Sequence, residues 1–360
     1  MKVFHCDHCE NLVFFENVSC MRCNHRLAFL PDLDVVGSLE PSGEHEWRCP
    51  APAAAGHAYR LCLNYTRENV CNWALAPDDP ASLCRSCRLT RSIPDLSRPG
   101  HKEAWYRLEV AKRRLLYTLL ALSLPVPSLT DDANHGLAFD FLADPDDRNA
   151  PRVLTGHNAG VITINIAEVD DAERERRKKE LGEPYRTLLG HFRHEIGHYY
   201  WSRLVPGRRT RPFRKRFGDE RENYAEALAR HYREGAPVDW QQQFVSAYAS
   251  AHPWEDWAET WAHYIHMTDT LETATECGLA LRPSRADEPS LRPGTPHPIH
   301  APFDRLIDGW FSVTYVMNNL NRGLGLPDPY PFVLAPPAIE KLRFVHDAIA
   351  GSARARAGAF

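Results

Sequence analysis

The sequence predicts an α+β protein in which N-terminal zinc ribbons precede a mainly helical domain with a small sheet. Three observations lead there. Cysteines crowd into the first 87 residues, the pentad His194-Glu195-Ile196-Gly197-His198 interrupts an apolar helical stretch, and two short β-rich runs lie between long segments of helical periodicity. A chain of 360 residues, 43% hydrophobic and 25% charged, has the composition of an ordinary globular protein with a sizeable core. The expected division is a ribbon region, 1–95, and a metal-site domain, 96–360. A net charge of −4 offers no general attraction to polyanions, so nucleic acid is not an expected partner. Met1-Lys2-Val3-Phe4-His5 runs straight into cysteines without an apolar signal segment. The longest apolar stretch, 115–127, is broken by Tyr117, Thr118 and Ser123 and is too short to span a bilayer. The expectation is a cytoplasmic protein with no membrane partner.

Nine of the ten cysteines lie at or before Cys87, several as C-x-x-C pairs, which reads as reduced metal sites rather than disulfides. Cys6-x-x-Cys9 and Cys20-x-x-Cys23, ten residues apart, form two knuckles that close a tetrahedral site of four thiolates with no open position. A second group holds Cys49, Cys62, Cys71, Cys84 and Cys87, one thiol more than a tetrahedron needs. Cys62, Cys71, Cys84 and Cys87 are assigned to the second structural zinc. Cys49, which precedes the loose stretch 50–56, is the expected bystander, with Cys49 or His57 as the alternative ligand. Metal binding then supplies stability that a small loop-rich segment lacks. Arg22, Arg26, Arg85, Arg88 and Arg91 are scattered, so the ribbons are expected to serve as scaffold or protein-docking surface.

After a turn-rich connector, 93–100, residues 102–122 repeat apolar side chains on one face (Trp105, Leu108, Ala111, Leu115, Leu119, Leu122) and predict a packing helix. Strands are predicted at 137–142 and 161–166. The charged stretch 170–180 reads as a solvated helix face. Gly182-Glu183-Pro184 signals a helix start, and the helix is expected over 185–204. Arg203, Arg208, Arg209, Arg211, Arg214, Lys215 and Arg216 follow with no acid between them, a loop expected to be solvated and able to attract an acidic substrate. Helical patterns at 303–321 and 338–350 complete the domain, and the proline-rich stretch 282–299 is a surface loop.

The chemistry lies in the pentad. Residues four apart stack on one helix face, so His194 and His198 can grip one metal ion while Glu195 lies beside it. Zinc held in this way makes bound water acidic enough for a neighbouring carboxylate to take its proton during attack on a carbonyl. A third ligand is required, and 252–264 offers it: Pro253 starts a helix on which Glu255 and Glu259 lie one turn apart. Glu255 is assigned to the metal and Glu259 to the N–H of a ligating histidine, with the reverse order open. His191 and His263 compete for the metal on spacing alone, though each fits packing or support better. Tyr224, Tyr248, His252 and Tyr264 are candidates to stabilise an oxyanion. Asp219-Glu220 can orient a histidine or arginine, or cap the next helix.

Taken together, 185–201, Phe217-Gly218-Asp219-Glu220, 246–259, the ribbon cysteines, Cys71-Asn72-Trp73 and Asp328-Pro329-Tyr330-Pro331-Phe332 resemble a bacterial family of zinc-dependent metallopeptidases with N-terminal zinc ribbons. More distantly, His-Glu-x-x-His with Glu255-x-x-Ala258-Glu259-x-Trp261-Ala262 is similar to the gluzincin arrangement, in which a glutamate on a later helix completes the site. The resemblance favours Glu255 over Glu259. It implies a zincin-like fold, one catalytic and two structural zinc ions, peptide-bond hydrolysis with Glu195 as general base, and a protein or peptide substrate. In that class a strand near the zinc helix often lies along the substrate, and 161–166 is the candidate. The competing readings are a zinc-stabilised protein- or nucleic-acid-interaction protein on an inactive peptidase fold, and a non-peptide amide hydrolase.

Overall fold

Short knuckles and hairpins occupy the first part of the chain because cysteine pairs and turn residues leave no room for longer elements. The computed structural model describes residues 1–147, 149–172, 174, 176, 187–292 and 301–357. Strands β1 (Phe4–His5) and β2 (Leu12–Val13) pair antiparallel around the first knuckle. β3 (Arg26–Leu30), β4 (Val35–Pro41) and β5 (Trp47–Arg48) form an antiparallel sheet, and β6 (Arg60–Leu61) pairs with β7 (Ala74–Leu75) around a single helical turn, α1 (Leu63–Thr66). β8 (Thr90–Ser92) ends the ribbon region and enters another sheet.

That sheet has the order β10 (Gly156–Asn158), β11 (Val161–Asn165), β9 (Ala138–Leu142), β8. β8–β9 and β9–β11 are parallel, and β11–β10 is an antiparallel hairpin. Phe139 and Phe141, two apart on β9, share a face and pack at 5.8 and 6.1 Å on Phe192. Phe192 belongs to the helix that carries the pentad, so one face of the sheet supports that helix.

The remaining elements are helices: α2 (His101–Ala121), α3 (Leu188–Leu204), α4 (Thr210–Phe217), α5 (Tyr224–Glu234), α6 (Pro253–Glu276), α7 (Phe303–Gly323) and α8 (Pro336–Ala357). An α+β fold with a cysteine-rich N-terminal region and a mainly helical remainder is therefore what the chain adopts. The helix predicted over 185–204 begins at Leu188, because Thr187 is extended and its side chain accepts the N–H of Gly190 as an N-cap. The expected basic loop is in part the helix α4. Phe213 and Phe217, four apart, stack at 4.8 Å and pack on Trp257 and Phe344, which turns the arginines outward. The helix start at 182–184, Tyr185 and Arg186, residues 173, 175 and 177–180 of the charged stretch and 293–299 of the surface loop lie outside the described residues. No described helix is long and apolar enough to cross a membrane.

Helix α2 ties the ribbons to the rest. Its Tyr117 ring packs among Phe15 and Phe29 of the ribbon core, and its hydroxyl donates to Glu272 of α6 at 3.2 Å. One turn earlier, Glu109, Lys112 and Arg113 are sealed from solvent at 0, 0 and 2% exposure. Lys112 Nζ lies 2.9 Å from Glu109 and also donates to Thr90 of β8, while Arg113 donates to the Val70 carbonyl at 2.6 Å beside Cys71. Two buried cations share one carboxylate, so the carboxylate cannot be removed cheaply. Glu109→Ala is expected to destabilise the protein by about 3–5 kcal/mol in urea unfolding, the cost of leaving buried charge unpaired; a loss under about 1 kcal/mol would show that this cluster does not hold the two regions together.

Candidate metal centre

Helices α3 and α6 approach closely because Gly197 has no side chain. A Cβ there would lie 3.1 Å from the Ala258 Cα and 3.2 Å from the Trp261 ring, tighter than ordinary contact. The seam is reinforced by Trp257, whose indole N–H donates to the Gly197 carbonyl at 2.8 Å. This approach brings side chains from α3 and α6 onto one small volume.

His194, His198 and Glu255 meet there with their donor atoms within 4.8 Å of one another. His194 Nε2 is 3.2 Å from His198 Nε2 and 3.0 Å from Glu255 Oε2, and His198 Nε2 is 3.6 Å from Glu255 Oε1. Ligands at 2.0–2.1 Å from a tetrahedral zinc are separated by about 3.3 Å, so the donor set fits that ion in element, number and spacing. Glu255 is 1% exposed, and a carboxylate so deeply buried requires positive charge nearby. Burial pushes its pKa up, but His198 and His194 outweigh burial and hold it well below the ordinary range. For His194, burial opposes a charge, and Glu255 and Glu259 outweigh it and raise its pKa well above that of a free histidine. The two carboxylates thus make a field that favours a cation at this point.

The surrounding groups fix the donors. His194 Nδ1 faces Glu259 Oε1 at 2.7 Å, and the Ser246 hydroxyl donates to Glu259 Oε2 at 2.6 Å, so His194 turns Nε2 inward. Tyr224 donates to Glu255 Oε1 at 2.6 Å. Burial first, then the charges of Glu255 and Glu195, raise the Tyr224 pKa and keep that proton in place. Glu195 is half-buried on the turn beside His194. Among the oxyanion candidates, Tyr248 lies with its ring 6.0 Å from His194. Tyr264 is turned away to His346 Nδ1 at 3.0 Å, and His252 caps α6 by accepting the Trp254 N–H. His191 faces Glu168, and His263 lies on the Glu259 carbonyl, so neither joins the three donors.

Some sequence expectations require correction. The strand 161–166 is not an edge: β11 is paired on both sides, with β10 and β9, so its backbone is already used. The sheet ends at β8 and at β10, the latter a three-residue strand too short to be legible as a strand, with His157 at its centre. Of the seven basic residues after the pentad, Arg214 is held by Glu220, Arg203 by the His135 carbonyl, Arg209 by the Leu204 carbonyl and Arg216 by the Pro212 carbonyl, while Arg208, Arg211 and Lys215 are exposed as a solvated stretch would have them. Of the two roles expected for Asp219-Glu220 the structure has the pairing with arginine, Glu220 with Arg214 and Asp219 with Arg221, and the cap of α5 is Asn223. Sequence reading also missed Ser246 and His231, whose ring lies 5.9 Å from Tyr248. No spacing rule points to either.

The cysteines gather as two groups, Cys6, Cys9, Cys20 and Cys23, and Cys62, Cys71, Cys84 and Cys87. Sulfurs stand 3.6 Å apart for Cys6–Cys23 and for Cys9–Cys20, and 3.7 Å apart for Cys71–Cys84. The edge of a tetrahedron with zinc–sulfur bonds of 2.3 Å is about 3.8 Å, so both groups fit zinc and no disulfide joins them. Cys49 stands apart: burial, then Asp7, push its thiol up to about 12, which keeps it protonated. His57 faces Tyr59 and Asp32 rather than the sulfurs.

A family model described as "Putative zinc-binding metallo-peptidase" matches residues 101–348, and a zinc-ribbon domain model matches residues 3–98. The chain belongs to that metallopeptidase family. An uncharacterized protein of Mycobacterium bovis and those of two Mycobacterium tuberculosis strains are each 41% identical to it over 351 residues, 97% of this chain and 95% of theirs. No solved structure matches the chain. Family membership and the two tetracysteine groups together support zinc binding. If the Gly197 seam sets the donor spacing, Gly197→Val should force α3 from α6 and weaken zinc at the three-donor site by about tenfold or more in chelator competition, with the helical circular dichroism retained. Unchanged zinc affinity would contradict that role.

Proposed function

We propose that this chain is an active zinc metallopeptidase, with His194, His198 and Glu255 holding the catalytic ion. Cys6, Cys9, Cys20 and Cys23 hold one structural zinc, and Cys62, Cys71, Cys84 and Cys87 hold the other. The observation that carries the reading is the spacing of the three donors, each pair separated by close to one edge of a zinc tetrahedron, with Glu195 on the same helical turn. Three protein ligands leave a fourth position, as a hydrolytic site requires. Zinc bound there supplies a Lewis acid for water and for the scissile carbonyl.

The protein's own groups do the rest. Glu195 accepts the proton of the attacking water and returns it to the leaving amine. Glu259, itself held by Ser246, fixes the tautomer of His194, and Tyr224 pins Glu255 Oε1 while Oε2 faces His194. Tyr248, with its ring 6.0 Å from that of His194, is the group assigned to donate to a developing oxyanion. Its hydroxyl stays protonated because burial, then Glu255, push its pKa upward. The arrangement is gluzincin-like, the substrate is a protein or peptide, and the division at residue 95 separates ribbon from peptidase. Eight cysteines gathered as two metal-holding sets rather than as disulfide pairs support a reducing, cytoplasmic setting.

Two outcomes check this proposal. Glu195→Gln should retain the full zinc content and unfold at the wild-type temperature, yet cleave peptides at least about 1,000-fold more slowly in a fluorogenic assay; cleavage at the wild-type rate would remove Glu195 from the mechanism. Removal of the site zinc with a chelator should abolish cleavage, and one added equivalent of zinc should restore it. Activity that survives removal would place the hydrolytic centre elsewhere.

A further inference from the structure

Two histidines of the first ribbon belong neither to its four cysteines nor to the three-donor site. The knuckles Cys6–Cys9 and Cys20–Cys23 are each followed by a residue with positive φ, Glu10 at 59° and Asn24 at 60°. The chain bends back there, so the Cys6 N–H donates to the Asn11 carbonyl and the Cys20 N–H to the His25 carbonyl, both at 2.9 Å. His8 sits inside the first knuckle, and His25 closes the second. Their backbone N–H groups donate to ribbon sulfurs, His8 to Cys6 and His25 to Cys23. The tetracysteine site therefore fixes where both imidazoles start, and their rings stack with centroids 3.8 Å apart.

The neighbouring sheet adds a carboxylate. β3 and β4 pair antiparallel with Arg26 opposite Leu39, and one step further the same register sets His25 opposite Glu40. Glu40 Oε1 stands 3.9 Å from His25 Nε2, beyond hydrogen-bond reach. The other ring nitrogen, His25 Nδ1, is sealed from solvent and has no hydrogen-bond partner among the described residues. His8, His25 and Glu40 each bring one donor atom within 4.8 Å of the other two. The three side chains thus converge without hydrogen-bonding one another, which is how ligands gather around an ion.

We propose that His8, His25 and Glu40 form a further metal site on the face of the first ribbon, one that takes zinc or a neighbouring divalent transition metal. Two imidazoles and one carboxylate suit such borderline ions, whereas calcium and magnesium take shells built of oxygen. The donor types are those of the site between α3 and α6, but the setting is the opposite: His8 and Glu40 are exposed, and His25 is half-buried. Rings within 21° of parallel cannot both aim a lone pair at one point, so the His8 ring turns out of the stack to bind, and at an exposed position no packing opposes the turn. Ordering two exposed side chains costs entropy, and water competes for the ion, so the ion exchanges readily and leaves on desalting. Protein prepared without added metal keeps only its tighter ions and takes up this one when zinc is supplied.

The test uses the full chain, desalted and then titrated with zinc chloride in a calorimeter, comparing the wild type with His8→Gln and Glu40→Gln. Both substitutions lie at exposed positions and leave the cysteines and the three-donor site untouched, so the comparison holds whether or not those sites are filled. The wild type should take up an ion that either variant binds about tenfold or more weakly, with melting temperature and retained zinc unchanged. In the wild type alone, the added zinc should also shield His8 from diethyl pyrocarbonate, read by peptide mass spectrometry, a measurement that needs no variant. Equal uptake by all three proteins, or His8 labelled as fast with zinc as without it, would overturn the assignment; neither result bears on the peptidase reading.

Discussion

The close contact between α3 and α6 is the constraint on which the site depends. His194 and His198 are one turn apart on α3, but the third donor comes from a helix more than fifty residues later. Glu255 reaches them because Gly197 and Ala258 offer almost no side-chain bulk where the helices meet. The same residues that leave room also hold the seam, since Trp257 and Trp261 fill its flanks and the Trp257 indole satisfies the Gly197 carbonyl. Packing at this seam therefore sets the spacing of the three candidate donors.

Burial gives the seam its electrostatic character. Glu255, Glu259 and Asp256 all lie in the first two turns of α6, near the positive end of the helix, and each has a distinct partner. Glu255 faces the two histidines, Glu259 orients one of them, and Asp256 turns the other way to Lys341 of α8 at 2.6 Å. One helix start thus supplies a candidate ligand, the carboxylate that faces His194 Nδ1 and an anchor to the C-terminal helix. The ribbon region joins this body through α2, whose Tyr117 and Arg113 reach into the cysteine-rich part while its buried Lys112 bonds β8. The ribbons are packed against the helical body at several points rather than tethered to it.

Much of this was legible in the sequence, for physical reasons that differ from residue to residue. The i,i+4 rule brought His194 and His198 together, and C-x-x-C spacing brought out the first cysteine group and the Cys84–Cys87 half of the second, because short-range geometry is fixed by the backbone alone; Cys62 and Cys71 were chosen by their apolar neighbours. Helix periodicity located α2, α7 and α8, and Pro253 marked the start of α6 to the residue. The helix predicted from residue 185 begins at Leu188 because Thr187 is extended and caps it. Strand β10 and the supporting groups Ser246 and His231 were missed for a common reason: they matter through contacts with residues distant in the chain. The loop expected after α3 became the helix α4 because two phenylalanines found a core that the sequence alone did not reveal.

The central claim is that the seam holds a zinc ion distinct from those of the ribbons. Zinc per chain, measured by plasma emission on the wild type and on Glu255→Ala, tests it most directly. The account predicts three ions in the wild type and two in the variant, with the loss confined to the most easily chelated ion. Two ions in the wild type, or three retained in Glu255→Ala, would contradict it.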